Sequence, residues 1–154
     1  MSDQSPFPTI AADLWQAVEA ALPKLQAISE AEASRPRAPG KWSPKEVIGH
    51  LIDSASNNHQ RFVRAQQGAE LAFPPYEQEH WVACQHYGDR SWGEIVALWH
   101  AYNRHLAHVI RHIPEDKRRV ACVIESTEPV TLGFLADDYG RHLRHHLAQV
   151  GVSE

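Results

Sequence analysis

The segment Arg141-His142-Leu143-Arg144-His145-His146-Leu147-Ala148-Gln149 is the densest run of metal-binding side chains in the chain, and eleven of the 154 residues are histidine. Neutral imidazole is the commonest nitrogen ligand for metals and also the side chain that titrates nearest neutrality, so spacing has to separate the two uses. On a helix, His142 and His146 fall one turn apart on one face, with β-carbons ~5–6 Å from each other, close enough to aim both rings at one ion. His145 lies about 100° round the helix from His146, on the side of Asp138 and Arg141, which suggests a solvent or supporting role. The pair needs a third ligand from another element.

His50 fits that need if its helix runs antiparallel to the last one. It lies seven residues in from Ser43, or ~10 Å from the helix start at ~1.5 Å per residue. His146 and His142 lie four and eight residues before Val150, or ~6 to 12 Å from the other helix's end. In a plain up-down-up-down bundle the levels would not coincide, and His100 would be the better candidate. Three histidines on a divalent ion leave a position for water or a substrate atom, as catalytic zinc sites do. Such an ion lowers the pKa of bound water to near 7 or holds a thiol as its thiolate. Asp53, one turn beyond His50, is the candidate to orient a ligand ring through its far nitrogen or to act as a catalytic base. Asn57, another turn on, is a candidate donor to substrate, and Trp99 and Tyr102 are candidates for its pocket wall.

Four helices must position these residues. Ser43-Pro44-Lys45-Glu46 is a helix start, with a capping serine, proline at the first helical position and glutamate three residues on. Val47, Ile48, Leu51, Ile52, Ala55, Phe62 and Val63 continue it at helical spacing to about Gln66, before Gly68. Ser91-Trp92-Gly93-Glu94 opens another helix, with Ile95, Leu98, Trp99, Tyr102, Leu106, Val109 and Ile110 as its stripe, ending before Pro114. The last helix is expected from Thr131 to about Val150, with Gly151 as terminator. An earlier one spans roughly Thr9 to Glu32, kinked or interrupted at Pro23.

The stretch from Gln66 to Ser91, with Pro74-Pro75 and no clear period, is much longer than an antiparallel hairpin needs. A crossover there makes the order up, down, down, up and sets the histidine-bearing helices antiparallel. No strand alternation is strong enough to predict a sheet, although Arg119 to Ile124 could form a short extended piece. His105, His108 and His112 lie opposite the apolar stripe of their helix and read as a solvated face. His59, His80 and His86 have no partner pattern.

Length and a hydrophobic content of 43% fit one domain over residues 1–154, with a core that needs neither disulfides nor a structural metal. Cys84 and Cys122 belong to no Cys-x-x-Cys pair, so a reducing, cytoplasmic setting is expected. No run approaches the ~18 apolar residues of a membrane span. Net charge is -4 with histidine neutral, and the basic residues form no stripe that could follow a phosphate backbone, so neither membrane nor nucleic acid is an expected partner.

Trp42-Ser43-Pro44-Lys45-Glu46-Val47-Ile48-Gly49-His50-Leu51-Ile52-Asp53, followed by Asn57-Asn58-His59-Gln60-Arg61-Phe62, resembles the second helix of the DinB-like superfamily of bacterial metal-binding bundles. Thr131 through Asp138-Tyr139 to Gln149 resembles its final helix, and with Trp99 to Leu106 between them the likeness runs over most of the chain from Trp42 onward. The resemblance implies an all-α, up-down-down-up four-helix bundle holding zinc or nickel on His50, His142 and His146. It also implies a small-molecule substrate. Family members include thiol-dependent transferases and isomerases that activate a low-molecular-weight thiol, and proteins named as metal-dependent hydrolases. Homodimers are common among them. The alternative from another class is a non-enzymatic stress-response or binding module whose metal is structural, which would require a fourth protein ligand such as Asp53 or His145.

Overall fold

The computed structural model describes residues 5–125 and 128–152. Four long helices make up most of it: α1 (Phe7–Gln26), α3 (Pro44–Ala65), α5 (Trp92–Arg111) and α6 (Leu132–Gln149). Short helices α2 (Glu30–Ala33) and α4 (Gln78–Gln85) lie in the connections. Both α1 and α3 pack against α5 and α6, so α1 and α3 occupy opposite corners of the bundle. Phe7, Leu14, Leu25, Ile48, Leu51, Phe62, Trp99, Leu106 and Leu143 are among the core residues between them.

The helix starts follow from local chemistry. Ser43 Oγ accepts from the Glu46 amide at 3.3 Å while the Ser43 amide donates to Glu46 Oε1 at 3.0 Å, which satisfies two otherwise unpaired donors of α3. Ser91 and Thr131 cap α5 and α6 in the simpler way, each accepting one amide. Replacing Ser43 by alanine should cost ~1 kcal/mol, read as a lower urea midpoint with an unchanged slope.

Pro23 sits in the last turn of α1 without ending it there; the helix continues to Gln26. The chain then restarts at Ser29, which caps α2, so the expected single element to Glu32 is two. Glu30 of α2 ties two helix starts together: it pairs with the buried Lys45 of α3 at 2.5 Å and accepts the Trp92 amide of α5 at 2.8 Å. Val63 and Leu98, expected in the apolar stripes, are 47% and 39% exposed. Both lie at the margin of their helix's buried face, where the stripe meets solvent.

A small sheet was not expected. β1 (Glu70–Phe73) pairs in parallel with β2 (Ala121–Ile124), and β2 pairs antiparallel with β3 (Val130–Thr131). The extended piece anticipated at Arg119 to Ile124 contains β2. Its partner β1 comes from a segment some fifty residues earlier, Glu70 facing Ala121, and such a pairing leaves no local period to read. The long second connection is also more ordered than its sequence suggests. After β1 it forms α4 against α3 and then a 3₁₀ turn at Tyr87–Asp89. No helix among the described residues is long and apolar enough to cross a membrane.

Candidate metal centre

Two turns into α3 and in the last two turns of α6, the bundle brings three imidazoles to one point. Nε2 of His142 lies 3.4 Å from Nε2 of His50 and 3.1 Å from Nε2 of His146. One potential ligand atom from each of the three lies within 4.8 Å of the others. Nitrogens sharing a tetrahedral ion at ~2.0–2.1 Å must stand roughly 3.3 Å apart, and the two separations bracket that value. His50 is buried and the two rings of α6 are half-buried. The Trp42 ring covers His50 with centroids 5.1 Å apart. These residues therefore fit a divalent ion by both spacing and donor type.

Electrostatics suit the same role. Burial first, and then the neighbouring imidazoles, push His50 and His142 down to about 4 from the ordinary 6.5. Burial lowers His146 as well, against a hydrogen bond to Gln149 that favours its charged form. All three rings are consequently neutral near pH 7, the protonation state that metal ligation requires. The sign for stability follows. Folded rings with depressed pKa bind fewer protons than the unfolded chain once pH falls below about 6.5, so their contribution is intact above that value and is lost as pH drops towards 4. Protein stripped with a chelator should therefore melt at progressively lower temperature between pH 6.5 and 5, a range above most carboxylate titration. A flat melting profile there would contradict the burial argument.

The far nitrogens of two rings have partners. His146 Nδ1 is 2.8 Å from Gln149 Oε1, and His142 Nδ1 is 3.5 Å from Ser54 Oγ. His50 Nδ1 is buried with no hydrogen-bond partner among the described residues. The expectation that Asp53 would orient a ligand ring is corrected here. Its Oδ1 accepts from the Tyr87 hydroxyl at 2.6 Å and from Gln85 Nε2 at 2.7 Å, while Oδ2 is buried and unpartnered. Burial raises the Asp53 pKa in spite of those two hydrogen bonds.

The other candidates fall elsewhere. Asn57 spends its amide on the Asp53 carbonyl of its own helix, at 2.9 Å. Trp99 is fully buried in the core. Tyr102 hydrogen-bonds His59 Nδ1 at 2.9 Å, and His105 stacks edge-on against the same ring. His100 pairs with Glu19 of α1 at 2.6 Å, which leaves His50 as the third member of the cluster. His145 and His86 are exposed, and His86 adopts a left-handed conformation where α4 ends.

The cavity beside the cluster has a volume of about 140 Å³ and is lined by Ser54, Asn58, Arg61, Tyr76, Tyr139 and His142, with Leu135 and the exposed Asp138 at its edge. Trp99 and Tyr102 are not in its wall. Sequence reasoning passed over Ser54, Asn58 and Arg61, although their spacing from His50 puts them on one face of α3, and it passed over Gln149, three residues after His146. Tyr76, Gln85 and Tyr87 come from the long connection and had no periodic signal.

The chain is similar to several known proteins. The chain is 25% identical over 143 residues to "Putative metal-dependent hydrolase YfiT" of Bacillus subtilis, spanning 92% of this chain and 76% of that protein. It is 28% identical over 113 residues to "Putative metal-dependent hydrolase OB0782" of Oceanobacillus iheyensis, spanning 72% of this chain and 64% of the relative. The solved structure of Bacillus subtilis YfiT, described as a probable metal-dependent hydrolase with an unusual four-helix bundle topology, superposes with a TM-score of 0.86 at 18% identity. It covers 98% of this chain and 86% of YfiT, and so shows the same fold. The sequence pattern of the DinB superfamily matches residues 12–150, and the chain belongs to that superfamily.

Proposed function

We propose that this protein is a metal-dependent enzyme that holds one divalent ion, zinc or nickel, on His50, His142 and His146 and acts on a small molecule. The observation that carries this reading is the convergence of three neutral imidazole Nε2 atoms with no fourth protein ligand beside them among the described residues. The exposed His145 packs its ring edge-on against His146, 5.2 Å between centroids, and neither it nor Asp53 joins the group of ligand atoms, so a closed structural site lacks its fourth donor. The names of the relatives support hydrolysis. The reading takes the four long helices in up-down-down-up order, supported by antiparallel levels between α3 and α6, His50 with His146 and Phe62 with Tyr139, and between α1 and α5, Leu25 with Trp92 and Glu19 with His100.

When bound, such an ion supplies Lewis acidity and acidifies whichever water or thiol takes the remaining position. The chain's own groups do the rest. Gln149 and Ser54 hold the rings of His146 and His142 through their far nitrogens and keep Nε2 directed inward. Trp42 shields His50 from solvent on one side. Asp53, fixed through Oδ1, keeps Oδ2 free, and its raised pKa suits it to take a proton from the nucleophile.

The test has two parts. Zinc and nickel titrations of untagged protein should give near one equivalent per chain. The metal-loaded protein should then be melted with and without cysteine or glutathione: a thiol that binds the folded state raises the melting temperature, whereas no shift assigns the nucleophile to water. Asp53→Asn should lower kcat for whichever reaction is found by ~10²–10⁴-fold with metal affinity unchanged. An Asp53→Asn protein of full activity would remove that residue from the chemistry.

A further inference from the structure

The cavity beside His142 contains an unusual cation. Arg61 of α3 is 9% exposed, and its Nε is buried without a hydrogen-bond partner. Among the described residues its guanidinium makes no ion pair; its contact is with the face of the Phe73 ring, 5.4 Å from the centroid. Tyr76 and Cys122, which act on its charge, are themselves raised by burial and so are neutral at pH 7; they provide no counter-charge. An arginine with a purely structural role normally spends its five donors on carbonyls or carboxylates, and an unpaired buried charge is costly.

The remaining wall is set up to complement it. Asn58 Nδ2 donates to the Ser54 carbonyl at 2.9 Å and to Ser54 Oγ at 3.3 Å. The Ser54 hydroxyl, on which His142 Nδ1 also closes, is a hydrogen-bond neighbour of the Tyr76 phenol. Tyr76 therefore has a partner for its oxygen while its own proton can serve a ligand. Asp138 is the one carboxylate on the cavity's lining, and it is exposed at the edge. A volume of about 140 Å³ leaves room for a small functional group.

We propose that Arg61, with the Tyr76 hydroxyl, forms an oxyanion subsite in this cavity, so that the small molecule handled at the histidine cluster carries a carboxylate or phosphate group. The fork of the guanidinium matches the two oxygens of either anion, and low local polarity strengthens each contact. Arg61 lies seven residues beyond Ser54 on the same helix, or ~10 Å along its axis, so the anion is held at a distance from the reacting centre and fixes orientation rather than taking part in bond changes. The link from anion subsite to substrate rests on the metal-dependent reading above; the subsite itself does not.

The experiment follows the Arg61 side-chain Nε–H resonance by NMR in zinc-loaded protein titrated with inorganic phosphate and, separately, with succinate. It is paired with calorimetric affinities for the same anions in wild-type, Arg61→Met and Arg61→Lys proteins. Saturable movement of that resonance is expected, with affinity weakened about tenfold or more in Arg61→Met and partly retained in Arg61→Lys. Preference for phosphate or for succinate identifies the anion class. No movement with either anion, or equal affinity in wild type and Arg61→Met, overturns the proposal, and the resonance decides the matter if the variant does not fold. Zinc stoichiometry is measured on the same samples. Anion binding without zinc binding would leave the subsite standing and remove the metal-dependent reading instead.

Discussion

Replacing His146 by alanine is expected to lower zinc affinity by ~10²–10³-fold while leaving the bundle folded. Four-ligand zinc sites are worth ~10–16 kcal/mol in all, or roughly 3–4 kcal/mol per ligand, which sets that range. The fold should survive because His146 is half-buried and its ring rests on His50, His142 and Gln149 rather than in the apolar core. Removing it also takes one like-charging neighbour from His50, so the chelated variant should lose less stability than wild type on acidification below pH 6.5. The measurement is zinc titration against a competing chelator, with circular dichroism to confirm helix content. Zinc affinity equal to wild type would mean that the three-histidine cluster is not the ion's site.

The second large effect is expected at Gly49, next to His50. In a helix interior, glycine to alanine ordinarily gains ~1 kcal/mol. Here a β-carbon would meet the Tyr87 ring at 2.3 Å from Cδ2 and 2.5 Å from Cγ, so the ring would have to leave. Tyr87 is buried, and its hydroxyl holds Asp53 Oδ1 at 2.6 Å. Overpacking of ~1–3 kcal/mol plus loss of a buried hydrogen bond to a carboxylate outweighs the helical gain, for a net loss of ~2–3 kcal/mol. Urea unfolding of Gly49→Ala measures it, and a variant as stable as wild type would mean that the turn at Tyr87–Asp89 does not press on α3. Because the same contact positions Asp53, activity should fall in this variant even at temperatures where it stays folded.

Much of the bundle is legible from local pattern. The capping box at Ser43 and the stripes of α3, α5 and α6 place those helices to within a few residues, because amide capping and one-face burial act over one or two turns. The sheet and α4 escaped for the opposite reason. Their pairing partners lie far off in sequence, and a four-residue strand shows too few side chains to display a period. Leu98 and Val63 were assigned inward because a hydrophobic residue at the edge of a stripe looks the same in sequence whether or not a neighbouring helix reaches over it.

The candidate site divides along the same line. His142 and His146 could be paired from sequence alone because helical rise places residues four apart on one face, and the depth of His50 made it the matching third. Only the folded chain decides what surrounds them. It engages Asp53 Oδ1 with Tyr87 and Gln85, removes Trp99 and Tyr102 from the cavity wall, and leaves Arg61 buried on the cavity wall it shares with His142, with its Nε unpartnered. Those outcomes depend on contacts of α3 with α4 and the turn after it, with α5, with α6 and with the chain around Phe73 and Tyr76, segments that meet only when the chain closes. Local spacing determined which atoms could share an ion; the non-local packing determined their partners, their protonation and the chemistry of the space next to them.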